Sequence, residues 1–118
     1  MVLVGHGSRR AGFEVALKKV ARAFQKKSPR ARVLCAYLEI NTPSIHQAID
    51  ACVADGARQV KVLPYFLLTG NHVRDDIPRI VGKARRKYRG RARILLCPYL
   101  GFHNKIVDVV TQRLREAR

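Results

Sequence analysis

Short apolar runs alternate with amphipathic stretches along the whole chain. Val2 to Val4 is continuously apolar, the pattern of a strand covered on both faces. From Phe13 onward, Phe13, Ala16, Leu17, Val20, Ala21 and Phe24 share one helical face, while Lys18, Lys19, Arg22 and Lys26 share the other. Ser28-Pro29 ends that helix, because the proline ring pushes the preceding residue out of helical geometry. A second strand is predicted over Val33 to Leu38. Asn41-Thr42-Pro43 then predicts a helix start, with Thr42 as cap and Pro43 in the first helical position. Its inward face is Ile45, Ala48, Ile49, Cys52 and Val53, and Gly56 supplies the stop.

The second half repeats the scheme. Val60 to Leu63 predicts a third strand, closed by Pro64, which cannot donate to a ladder. Asp76-Ile77-Pro78 opens a third helix with Ile77, Ile80, Val81, Ala84 and Tyr88 inward, and Ile94 to Cys97 predicts a fourth strand. The last helix begins near Phe102 and is expected to bury Ile106, Val109, Val110 and Leu114. Such alternation predicts an α/β domain over residues 1–118: a four-stranded parallel sheet with right-handed crossovers and helices on both faces. The first strand is wholly apolar, and the third nearly so despite Lys61, which makes both central. The expected strand order is 2-1-3-4, in the flavodoxin-like style.

Composition adds three constraints. With 118 residues and 47% hydrophobic content, the chain suits one globular domain. No apolar run approaches the roughly 20 residues that span a bilayer, and no leader-like segment opens the chain, so a cytoplasmic protein is expected. Cys35, Cys52 and Cys97 lack CxxC spacing and sit in apolar stretches, as reduced core cysteines do.

Charge is the unusual property. Twenty-four Lys and Arg against eight Asp and Glu give a formal +16, and between Arg79 and Arg93 there are eight basic residues and no acidic one. That imbalance favours a polyanionic partner: nucleic acid, an anionic surface or a small polycarboxylate.

Loops after parallel strands gather at the carboxyl end of the sheet and form its ligand crevice. Gly5-His6-Gly7-Ser8-Arg9 follows the first strand, Glu39 and Asn41 the second, and Thr69-Gly70-Asn71-His72 the third; Pro98-Tyr99-Leu100-Gly101 follows the fourth. Two imidazoles, His6 and His72, and the Glu39 carboxylate are thereby expected on one crevice. Histidine there can ligate a metal or take up protons near neutral pH. There is no closely spaced Cys/His set for structural zinc, so a loosely held, exchangeable divalent ion fits better. Gly5-His-Gly-Ser8 matches neither a dinucleotide or P-loop fingerprint nor the GxSxG elbow, which leaves Ser8 an unpromising nucleophile. His46 and His103 read as structural.

Leu3-Val-Gly-His-Gly-Ser-Arg9, Leu38-Glu39 with Pro43, Leu63-Pro-Tyr-Phe-Leu67, Gly70-Asn-His-Val73, Asp76-Ile-Pro78 and Leu100-Gly101 occur in order over nearly the whole chain. This set resembles the short form of the class II tetrapyrrole chelatases, the sirohydrochlorin cobaltochelatase type. The resemblance implies ATP-independent insertion of a divalent metal into sirohydrochlorin in cobalamin- or siroheme-type synthesis. Cobalt is the first choice, with nickel or iron using nearly the same site; the metal is substrate, and no tightly bound cofactor is expected. It also implies that His6 and His72 are the catalytic, metal-holding pair, with Glu39 as third member, and that the chain pairs as a homodimer. Arg9, Arg10 and Arg74 are best placed for the peripheral carboxylates of the tetrapyrrole, with Ser8, Gly70 and Asn71 as further substrate contacts. Two rivals remain: a nucleic-acid-binding module resting on the charge, and a silent carrier of tetrapyrrole or metal. The first lacks stacking aromatics among its cations or any recognition motif, so nucleic acid is not the expected partner; the second is disfavoured by His6, Glu39 and His72 together.

Overall fold

Two strands built almost wholly of apolar side chains occupy the middle of the sheet. The structure, a computed structural model, describes residues 1–71 and 73–118. In chain order the elements are β1 (Val2–Gly5), α1 (Phe13–Lys27), β2 (Leu34–Tyr37), α2 (Ile45–Ala54), β3 (Gln59–Pro64), α3 (Asn71–Lys87), β4 (Arg93–Leu96) and α4 (Asn104–Arg115). All strand pairs are parallel and the order is β2-β1-β3-β4, as the apolar runs predict.

Alternation along β1 divides the core. Val2 and Val4 face α2 and α3, where they meet Ile45, Ile49, Val62, Val81 and Ile94 in the larger cluster. Leu3 points the other way and packs with Leu17, Ala21 and Tyr37 under α1. Register places Leu63 beside Leu3 and Leu95 beside Lys61, so these residues share the α1 face. Two helices cover one face of the sheet, whereas α1 alone covers the other.

α4 packs on neither face. None of its residues is buried, and Val109, Val110 and Leu114, expected in the core, are 47%, 61% and 75% exposed. Ile106, the fourth, is only partly covered. The helix lengthens the molecule to 53 × 34 × 29 Å, with a radius of gyration of 15.2 Å. A compact chain of this size would have about 13.5 Å. The amphipathic pattern is real, but nothing within the described chain covers its apolar side.

Other boundaries shift for identifiable reasons. α2 is capped by Ser44 rather than Thr42: the Ser44 hydroxyl accepts from the Gln47 N–H, and the Gln47 side chain accepts from the Ser44 N–H. Thr42-Pro43 is a cis peptide ahead of the helix, so Pro43 is not its first residue. β2 and β4 differ from expectation by a residue or so at their ends, and Pro64 extends β3, pairing with Val4. α3 starts five residues before Asp76 and carries Pro78 inside. An internal proline costs about 3 kcal/mol. Burial of Val73 in the core, worth about 1.5–3 kcal/mol, offsets that loss.

Asp50 of α2 accepts hydrogen bonds from the Tyr88 hydroxyl and Lys87 Nζ at the end of α3. The Tyr88 bond, with Lys87 adding to it, holds the Asp50 carboxyl below its usual range and pushes the Tyr88 phenol up. A depressed carboxyl stabilises the fold above its unfolded pKa, and that contribution disappears as pH falls through the folded value. Tyr88→Phe is expected to cost about 1 kcal/mol near neutral pH, a modest figure because Asp50 stays partly solvated. Urea unfolding near neutral pH and at about pH 3 should show the wild-type advantage shrink in acid; an advantage unchanged by pH would remove Asp50 from the account.

Candidate active site

The loop after β1 is held against the loop after β2 by three hydrogen bonds, and a fourth closes the second loop on itself. Leu38 N–H donates to the Gly5 carbonyl at 3.0 Å and Glu39 N–H to the His6 carbonyl at 3.1 Å. Ser8 N–H donates to Asn41 Oδ1 at 2.7 Å, and Asn41 N–H to the Glu39 carbonyl at 2.8 Å. Gly7 lies between the two loops with φ of 104°, and a Cβ there would stand 1.8 Å from the Glu39 carbonyl oxygen. Only glycine fits that approach. Ile40, also in the left-handed region at φ 68°, turns the chain between Glu39 and Asn41.

This stapling sets His6 beside Glu39. His6 Nδ1 is 3.5 Å from Glu39 Oε1 and 3.4 Å from the Gly7 carbonyl oxygen, and both side chains are about half exposed. Two acceptors beside Nδ1 favour the tautomer with its proton there. That leaves the Nε2 lone pair free to bind an ion or accept a proton. The Phe66 ring meets the imidazole edge-on at 6.4 Å and limits its rotation.

Two open hollows flank this point. One of about 420 Å³ lies between α1 and the end of β3, with His6 on its rim and Phe13, Leu17, Val20, Tyr65 and Phe66 in its walls. The second, about 250 Å³, lies beside the start of α3 and is lined by Pro64, Val73, Arg74, Ile77 and Tyr99 among others. Both are mainly apolar, while Arg9, Arg10 and Arg74 are exposed.

The expected site residues thus fall into three groups. His6, Glu39, Ser8, Arg9 and Arg10 come from the stapled loops; the Ser8 hydroxyl accepts from Arg10 N–H at 3.1 Å and shapes the loop. Gly70 caps α3 through its backbone, and Asn71 and Arg74 occupy the first turn rather than a loop. His72 lies outside the described residues. Phe66 and Asn41 were not assigned roles by sequence reasoning; the Glu39-x-Asn41 spacing opposite Gly7-Ser8 is the signal that could have found Asn41. His46 and His103 are structural: His46 Nδ1 lies 3.1 Å from the Ser44 hydroxyl, and His103 Nδ1 accepts from Lys105 N–H to cap α4.

Comparison with known proteins agrees with this architecture. The CbiX family model matches residues 1–117. The sirohydrochlorin ferrochelatase of Arabidopsis thaliana chloroplasts is 36% identical over 115 residues, covering 98% of this chain and 51% of that protein. The sirohydrochlorin cobaltochelatase of Saccharolobus solfataricus is 33% identical, covering 98% of this chain and 93% of that one. Among solved structures, the sirohydrochlorin chelatase SirB of Bacillus subtilis subspecies spizizenii, in complex with cobalt, superposes with a TM-score of 0.87 at 28% identity, over 98% of this chain and 49% of SirB. A CbiX protein of Marinobacter aquaeolei VT8 gives 0.77 at 26% identity, covering 98% and 97%. The chain spans about half the length of the plant relative and of SirB, and nearly all of the Saccharolobus and Marinobacter proteins. With the fold, strand order and nearly every residue matched, the chain belongs to the CbiX family.

Proposed function

We propose that this chain inserts a divalent metal ion into sirohydrochlorin without ATP, with cobalt as the first-choice metal and iron or nickel as alternatives. The observation that carries the reading is the His6–Glu39 pair, stapled at the carboxyl end of the two neighbouring strands β1 and β2 and open to an apolar hollow. A metal entering the macrocycle as a dication displaces two pyrrolic protons, so the site must deliver an ion and accept protons. His6 Nε2 serves as ligand and base, Glu39 fixes the imidazole through Nδ1, and His72 supplies the second imidazole. Arg9, Arg10 and Arg74 meet the carboxylates around the ring, helped by Ser8, Gly70 and Asn71. No helix among the described residues is long and apolar enough to cross a membrane; a cytoplasmic location belongs to the same reading.

The working unit in this reading is a homodimer joined through α4. Its apolar side carries Val109, Val110 and Leu114 into solvent, and on the α1 face of the sheet the edge strand bearing Leu95 lies beyond the cluster that α1 covers. Relatives of about twice the length have a second half available for such packing, whereas the short relatives match this chain from end to end. In this reading the occupant is a second copy.

His6→Ala should slow metallation of sirohydrochlorin by Co²⁺ about a hundredfold or more, followed by the absorbance change of the ring, with tetrapyrrole binding kept within a few-fold. Unchanged metallation would dismiss His6, and loss of binding alone would make this a carrier. Parallel runs with Co²⁺, Fe²⁺ and Ni²⁺ rank the metals. Light scattering after gel filtration should give twice the 13.3 kDa chain mass, and Val110→Asp with Leu114→Asp should halve it. A wild-type monomer would end the dimer reading while leaving the His6 result standing.

A further inference from the structure

Eleven of the 24 cations of this chain are gathered at the end of the sheet opposite the site. Lys26 and Lys27 close α1, and Arg30 and Arg32 lead into β2. Arg58 precedes β3, Arg85, Arg86 and Lys87 close α3, and Arg89, Arg91 and Arg93 carry the chain into β4. Parallel strands all begin at one end, so these segments lie side by side, and every one of the cations named is exposed. The acids there are Asp55, paired with Arg32, and Asp50, paired with Lys87. Glu14, Glu39, Asp75 and Asp76 lie toward the other end, and Asp108 and Glu116 on α4.

Helix dipoles account for part of this distribution. Cations in the last turns of α1 and α3 offset the partial negative charge of those termini. Arg30, Arg58 and Arg89 in the loops and Arg93 at the first position of β4 lie beyond the last turns, and among the described residues none has an acidic partner. A hollow of about 570 Å³, wider than either hollow at His6, opens here among Arg30, Arg32 and Lys61.

We propose that the amino end of the sheet is a second binding surface, which takes the phosphodiester backbone of a nucleic acid without reading its bases. Three points select this partner. The row runs from β2 to β4, three strand spacings or about 14 Å before side-chain reach is added, and so suits a repeating polyanion better than one small ligand. Arginine predominates, and its planar fork matches phosphate oxygens in pairs. Apart from Phe24 near the end of α1, the large exposed apolar side chains that could enter a lipid surface or form a protein interface core, such as Leu67, Leu68, Phe102 and Val110, lie toward the carboxyl end or on α4. Of the aromatics near these cations, Tyr88 is buried with Lys87 and Arg91 over its ring and Phe24, in the wall of the hollow, is 36% exposed, so no row of stacking rings is offered. The surface is independent of the chelatase site.

The test is anisotropy of a fluorescein-labelled random-sequence DNA duplex of about 20 base pairs, titrated with the full chain at several KCl concentrations. Six or so phosphate contacts predict a log–log salt slope near −5 and about a thousandfold loss between 50 and 200 mM salt. Replacing Arg30, Arg58, Arg89 and Arg93 by Gln should flatten the slope by about 3 to 4 and weaken low-salt binding by at least about thirtyfold. A control replacing Lys18, Lys19, Arg22 and Arg115 by Gln removes the same charge elsewhere and should change affinity less than about threefold. Sirohydrochlorin metallation should be equal in both variants and the wild type. Equal loss of DNA binding in both variants would reduce the surface to net charge. Tighter binding to phosphatidylglycerol vesicles or to polyglutamate than to the duplex would reassign the partner, and a wild-type slope shallower than about −2 would overturn the proposal outright.

Discussion

The approach of Gly7 to the Glu39 carbonyl is the constraint on which the site depends. Two neighbouring parallel strands end side by side, but their loops would diverge without a reason to stay together. Hydrogen bonds from Leu38, Glu39 and Ser8 supply that reason, and they form only because residue 7 lacks a side chain. Once they form, an imidazole on one loop and a carboxylate on the other reach ion-pair distance with no buried charge and little loss of solvation. The pair therefore stays exposed, with the imidazole open to solvent.

Sequence pattern carried the sheet because strand burial is a local property here. β1 and β3 are central, and each must be apolar on both faces where it is covered; Lys61 is tolerated because it lies exposed near the start of its face of β3, whereas Leu63 two residues on packs against the α1 cluster. The loop chemistry was legible for the same reason, since strand ends fix which loops meet. The start of α3 was not legible: Pro78 resembles a first-turn proline, and only the packing of Val73 and Ile77 reveals that two turns of helix precede it. Asn41 was visible as a loop residue, but its role depends on how closely Ser8 approaches, which no local pattern encodes.

α4 was misread in an instructive way. Its period is that of a helix with one apolar side, and such a side is ordinarily assigned to the core of its own chain. The sequence states that Val109, Val110 and Leu114 require cover; it does not state whose. A sheet with one half-bare face and a helix with a bare side are complementary deficits in the same molecule.

The two ends of the sheet also differ in what they can bind, and the difference follows from topology. Helices that cross from strand end to strand start all direct their positive poles toward the crevice and their negative poles toward the opposite end. Glu14 in the first turn of α1 and the cations in the last turns of α1 and α3 fit that field. Dipoles alone, however, are satisfied within the last turn, and the arginines here continue past it through three separate loops. Charge in excess of the local field raises the self-repulsion of the folded state, so its concentration at one end costs stability that the fold itself does not recover. A counterpolyanion would recover it, and it would do so at the end of the sheet opposite His6.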